Sequence, residues 1–334
     1  MLFKAWGIAP GLHRERIEVL KKRAESVLIG ALLTLSVQAN SALAPQVVVT
    51  IKPIHALVSG VMDGVGTPQL LLQGGESPHS YSLRPSQVRQ LHAADLLIWV
   101  GPTVETFLEK TLTTLSDKTK RLRLLDVQGL TLLKARKGGI WETHHHSDDF
   151  AYARDDVSHH ADFEIDPHIW LDPHNAKVML QAIAQTLSQI DVNNAARYMA
   201  NATRFLARLE QLDQGLKHRL APLSALPYLV FHDAYQYFEH RYGLSAVGAI
   251  SLSPETRPSV RRLYQLRVRI KSQQVRCVFS EPQFESALVA TVIEDTSAGR
   301  EILDPLGADL AAGIEAYFSL LRNLANSLNL CLMP

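Results

Sequence analysis

Histidine and carboxylate side chains crowd one stretch of this 334-residue chain. Seven of its 14 histidines lie between His144 and His174, interleaved with Asp148, Asp149, Asp155, Asp156, Asp162, Glu164, Asp166 and Asp172. Imidazole nitrogen and carboxylate oxygen together suit borderline divalent ions, Zn2+ above all. A solvated acidic loop would account for the carboxylates but not for the imidazoles set among them. The stretch closes on Asp166-Pro167-His168-Ile169-Trp170-Leu171-Asp172-Pro173-His174-Asn175, where prolines on both sides of His168 stiffen the backbone. The chain reads as one built to hold a metal.

Aiming imidazoles at one ion takes rigid elements, and these alternate along the sequence. In the first half, strands are expected at 46–51, 69–72, 96–100 and 122–125, and helices from Pro53, from Pro85 and over 103–114. A helix over 175–190 leads into the longest amphipathic pattern, in which Tyr198, Ala202, Phe205, Leu209, Leu212, Leu216 and Leu220 recur every three or four residues. Asp191 to Asn194 supply capping side chains before it, and Ala221-Pro222 stops it. Such a helix would run about 40 Å, the length of a two-lobed protein. The second half repeats the alternation, with strands at 228–231, 244–250, 275–280 and 301–303 and helices at 233–242, 259–273 and 285–297. A closing helix carries Leu310, Ile314, Phe318, Leu321, Leu324 and Leu328 on one face. The expected fold class is therefore α/β. Two (β/α) lobes with mostly parallel sheets are joined by one long connecting helix, and the metal site lies in the cleft between the lobes. The lobes are expected at 45–190, with a His/Asp-rich loop at 142–164, and at 222–334, with the connector at 191–221.

Ligands of open α/β sheets sit beyond the carboxyl ends of the strands. His79 lies in the loop after strand 69–72, His232 directly follows 228–231, and Asp304 directly follows 301–303. With His168 they make an N3O set that fits tetrahedral Zn2+, two ligands from each half. His55, His92, His218 and His240 fall on helices as surface or packing residues, and His174 starts a helix after Pro173. Glu281 is a candidate to orient a ligand, and Trp170 a core residue. His144, His145, His146, His159 and His160 read as a flexible loop that binds metal weakly.

Charge is balanced, 34 basic against 33 acidic side chains, which leaves no basis for a nucleic-acid or polyanion partner. Apolar residues at 46% and charged ones at 20% fit a soluble globular body. Ahead of it, Lys21-Lys22-Arg23 precede the apolar run Val27 to Val37 and the tripeptide Ala42-Leu43-Ala44. That is the layout of a secretory signal peptide at 1–44 with cleavage near 39–44. The run is too short for a membrane-spanning helix, which needs about 20 residues. In an exported chain the even count of cysteines, Cys277 and Cys331, points to a disulfide; in a cytosolic one they would be free thiols.

Five stretches carry a resemblance, in this order: E-S-P-H-S-Y-S-L-R-P-S (76–86), D-P-H-I-W-L-D-P-H-N-A (166–176), F-H-D-A-Y-Q-Y-F (231–238), S-E-P-Q-F (280–284) and L-D-P-L-G (303–307). From about residue 46 to its end the chain resembles the periplasmic zinc-binding components of high-affinity zinc ABC uptake systems. These belong to the metal-specific cluster of ABC-transporter solute-binding proteins. The resemblance implies two (β/α) lobes on one long helix and Zn2+ as the transported ligand. It also implies a monomer that delivers the ion from the periplasm to the membrane permease of an ABC importer. It places the metal on His79, His168 and His232, with Asp304 or a water fourth, and pairs Cys277 with Cys331. A manganese-binding member of the same cluster is the nearest alternative, but that branch usually carries a carboxylate where His232 stands. The alternative from another class, a secreted zinc hydrolase, needs an open coordination position and a poised general base. No H-E-x-x-H occurs and Glu281 is the one candidate base, so no enzymatic activity is expected.

Overall fold

Three consecutive valines, Val47–Val49, are all buried and form strand β1, which has a parallel neighbour on each side. The computed structural model of the chain describes residues 44–136, 164–251, 258–284 and 287–333. The leader expected before residue 44 and the histidines His144, His145, His146, His159 and His160 lie outside the described residues. β1 is flanked by β2 (Gln69–Leu70) and β3 (Leu96–Trp99), and β4 (Lys120–Arg123) forms the far edge. The second sheet repeats the plan: β5 (Tyr228–Val230) lies between β6 (Ala246–Ala249) and β7 (Cys277–Ser280), with β8 (Gly299–Ile302) outermost. Every pairing in the two sheets is parallel. Each lobe's first strand sits between its second and third, so the winding reverses beside it and leaves a crevice at the carboxyl ends.

Helices cover the sheets. Proline in the first turn of α1 (Lys52–Val61), α2 (Pro85–Ala93) and α4 (Pro173–Ile190) fixes helical φ where the N–H needs no partner. The helix expected over 103–114 is instead a 3-10 turn, Thr106–Leu108, followed by the short α3 (Glu109–Leu112). Glu105 explains the difference. Its buried carboxylate folds back to accept from Thr50 Oγ1 (2.6 Å) and the N–H groups of Val100 (3.0 Å) and Gly101 (2.9 Å), which ties the chain to the end of β3.

The long pattern forms α5 (Ala195–Leu220), 26 residues and hence about 39 Å. Its seven expected apolar residues are all buried. It packs along α4 and reaches both lobes through Phe205. A Cβ on Gly60 of α1 would lie 2.2 Å from that ring, and the ring meets Phe318 at a centroid distance of 4.8 Å. The second lobe carries α6 (Gln236–Tyr242), α7 (Val260–Ser272), α8 (Ala287–Ile293) and α9 (Glu315–Leu332). α9 starts later than its apolar pattern, because Leu310 belongs to a turn and Gly313 takes φ +135°. No helix among the described residues is long and apolar enough to cross a membrane.

An antiparallel bridge pairs Lys134 with Ile165, flanked by Ala135 N–H to Glu164 O (2.8 Å) and Asp166 N–H to Leu133 O (2.9 Å). The next residue, Arg136, binds Asp233 through Nε (3.0 Å) and Glu239 through Nη1 (2.8 Å).

Cys277 of β7 and Cys331 of α9 form a disulfide, Cα–Cα 5.9 Å, across 54 residues. In the chain-entropy account a loop of that length contributes about 4 kcal/mol. Replacing both cysteines by serine is expected to lower the urea midpoint accordingly; an unmoved midpoint would mean that the link carries no stability.

Candidate metal centre

Three loops from different parts of the chain converge at the carboxyl ends of the strands. His79 sits in the 3-10 turn Pro78–Ser80 that follows β2. The buried Gln87 of α2 holds that loop in shape. Its amide donates to Leu71 O (2.8 Å), and its oxygen accepts from Tyr81 Oη and Arg84 N (both 2.9 Å). His168 precedes the 3-10 turn Ile169–Leu171, and His232 follows β5 by two residues.

His168 and His232 are positioned by the same device. Asp166 Oδ1 accepts both the backbone N–H (3.0 Å) and ring Nδ1–H (2.8 Å) of His168. Glu281 Oε1, at the end of the adjacent strand β7, does the same for His232, at 3.2 and 2.7 Å. A carboxylate bonded to both atoms of one residue locks the ring to its own backbone and puts the proton on Nδ1. Both Nε2 lone pairs are thereby turned inward, and they face each other at 3.4 Å. Either a proton carried on His232 Nε2 or a cation between the two nitrogens accounts for so close an approach. Zn–N bonds of about 2.0–2.1 Å in a tetrahedron place neighbouring nitrogens about 3.3–3.4 Å apart.

His79 completes the group: one ligand atom from each of His79, His168 and His232 lies within 4.8 Å of the others. Among the described residues this is the one cluster of three or more His, Cys, Asp or Glu side chains with that spacing. A cavity of about 10 Å³ is lined by the three imidazoles together with Trp170, Phe284 and Pro305. That is room for one water-sized body. The Trp170 and Phe284 rings pack 5.2 and 5.7 Å from His168 and His232, both of which are buried, while His79 is half-buried.

Electrostatics match an ion-binding role. Burial, with the neighbouring imidazoles adding to it, holds His79 and His168 neutral down to about 3. Burial would lower His232 too, but the charge and hydrogen bond of Glu281 outweigh it and raise the group above its ordinary value. Burial pushes Asp166 up to about 7 against the pull of the His168 N–H and Arg136.

The fourth expected ligand, Asp304, is not brought into this group. Its carboxylate follows β8 as the strand-end rule requires. It turns away from the histidines, accepting from the N–H groups of Leu306 and Gly307 (3.0 Å each) and Ala308, and from Gln283 Nε2 (3.1 Å). The remaining histidines take structural places. His55 is buried with Nε2 on Pro68 O (3.1 Å). His174 starts α4, its N–H on Asp172 Oδ1 (2.8 Å), while His92, His218 and His240 are exposed. The Asp166 clamp went unread in the sequence, although Asp-x-His places a side chain two residues before the N–H it bonds.

The family description "Zinc-uptake complex component A periplasmic" matches residues 47–331. The chain belongs to that family. It is 44% identical over 304 residues to the high-affinity zinc uptake system protein ZnuA of Brucella abortus, covering 86% of this chain and 91% of that protein. The ZnuA of Yersinia pestis is 36% identical over 294 residues, with the same coverage. A crystal structure of ZnuA superposes with a TM-score of 0.72 at 28% identity, over 86% of this chain and 99% of that one. A zinc-bound deletion mutant of ZnuA gives 0.71 at 27%. Membership in the zinc-uptake family accords with a buried group of facing imidazole nitrogens.

The shifts set the pH dependence of metal binding. As pH falls, a proton on His232 competes with the metal, and Asp166 must ionise to grip His168 fully; His79 and His168 stay neutral until near 3. Binding at pH 5 is therefore expected to release at most two protons per ion, where three ordinary imidazoles of pKa about 6.5 would release about three. Calorimetry in buffers of different ionisation enthalpy counts them, and three would contradict these environments.

Proposed function

We propose that the protein captures Zn2+ in the periplasm and delivers it to the membrane permease of an ABC-type zinc importer. The observation that carries this reading is the pair of Nε2 atoms facing each other at 3.4 Å, the spacing of ligands on one tetrahedral zinc. His79, His168 and His232 are the protein ligands, and a water fills the fourth position while Asp304 is engaged with the turn amides. A nitrogen set favours zinc over manganese, which prefers harder oxygen donors. The ion is cargo and not a reagent. One oxygen of each carboxylate beside the ligands orients an imidazole, and membership in a zinc-uptake family supports reading the protein as a carrier and not a hydrolase. The segment 1–44 serves as the export signal, and the carrier works as a monomer without a nucleic-acid partner. The histidines of the 142–164 loop supply weak auxiliary sites that gather zinc near the cleft.

One Zn2+ per chain is expected in the tight step of a calorimetric titration, and each of His79→Ala, His168→Ala and His232→Ala is expected to weaken it by about tenfold or more. Full affinity in the His232→Ala protein would refute the ligand set. His232→Glu should move competition toward Mn2+, and equal competition by the two ions at the wild-type site would mean that the donor count is wrong. Deleting residues 143–160 is expected to remove a second, weaker step and spare the first. Loss of the tight step on deletion would put a primary ligand in that segment.

A further inference from the structure

The turn after β8 is gripped from two sides. On one side the Asp304 carboxylate accepts from the N–H groups of Leu306, Gly307 and Ala308. On the other the ammonium of Lys52, from the first turn of α1 in the opposite lobe, donates to the carbonyls of Gly307 (2.9 Å), Ala308 (2.7 Å) and Leu310 (2.8 Å). Lys52 is 4% exposed, and its three protons meet three carbonyls. The residues Gly307 and Ala308 are thus bonded twice, N–H to an anion and C=O to a cation. Charge-assisted bonds of this kind are the stronger sort, and in a chain each polarises the next.

The fit is close. Gly74 takes φ +137°, and a Cβ there would lie 2.4 Å from Ala308 O and 2.9 Å from Lys52 Nζ, so the first lobe's loop leaves room for this grip and no more. The turn also touches the metal site. Pro305 and Leu306 line the ion-sized cavity, as does Gln283, whose amide donates to Asp304. One side chain therefore stands between the Asp304 carboxylate and the histidines.

We propose that Lys52 is a specificity-determining residue. By gripping the carbonyls of residues 307, 308 and 310 it keeps Asp304 folded onto the turn amides and off the metal, so that nitrogen is the only protein donor to the ion. This rests on the three-histidine reading above and adds the reason that an oxygen ligand does not join it. Without Lys52 the turn peptides lose the cation that orients them, and Asp304 becomes available as a fourth, harder ligand. A harder set raises the standing of manganese against zinc.

Co2+ is the probe, because its visible absorption reports the number and kind of its ligands. Lys52→Met is expected to change the spectrum of the Co2+-loaded protein and to improve Mn2+ competition against Zn2+ by about tenfold, the low end of what residues behind the ligands produce. The double variant Lys52→Met with Asp304→Asn is expected to return the wild-type spectrum. An unchanged spectrum in the single variant, or a changed one that persists in the double, overturns the proposal. If the methionine variant does not fold, Lys52→Gln, which keeps two donors in the carbonyl cage, takes its place with the same outcomes. Failure of the three-histidine reading is seen separately, as wild-type affinity for Co2+ retained after His168→Ala.

Discussion

Two ring nitrogens brought to 3.4 Å of each other inside the protein must be held there by their surroundings. Asp166 and Glu281 do so, each bonded to the backbone and the ring of a single histidine. Those carboxylates are themselves buried and must be fixed in turn. Glu281 stands at the end of β7, paired with β5, which carries His232. Asp166 is fixed by the short antiparallel ladder and by the Tyr237 hydroxyl on its carbonyl.

The two sheets share one strand order but spend their crevices differently. In the second lobe the ends of the first and third strands present His232 and Glu281. In the first lobe the equivalent place is closed by the Thr50–Glu105 bond, and burial raises Glu105 to about 7 against the hydrogen bonds it accepts. The first lobe's sheet contributes from the neighbouring loop after β2, through His79. One lobe thus gives a rigid strand-end ligand with its orienting acid, the other a ligand on a loop stiffened by Gln87.

Much of this was legible in the sequence. β-α alternation and the strand-end rule place His79 and His232 beyond strand ends, where the structure has them, because both depend on periodic burial, which a single sequence carries. The α5 pattern is legible for the same reason. The edge strand β4 is harder to read, since Lys120 and Arg121 face water and break the apolar run. Asp304 obeys the positional rule, yet its carboxylate finds three backbone N–H groups within four residues, local partners that a strand-end rule does not weigh. Lys52 could not be read at all: its partners lie more than 250 residues away, and nothing in a helix's first turn announces three carbonyls of another lobe.

The bridge between Lys134 and Ile165 has a consequence for how this protein can vary. It fastens the chain on both sides of residues 137–163 directly ahead of Asp166, while Arg136 ties the near side to Asp233, next to His232. Once the ends of a segment are fastened, doubling its length adds only about 0.6 kcal/mol of closure entropy. Changes of length in the interval are therefore cheap in closure entropy while the bridge keeps the register of Asp166 and His168.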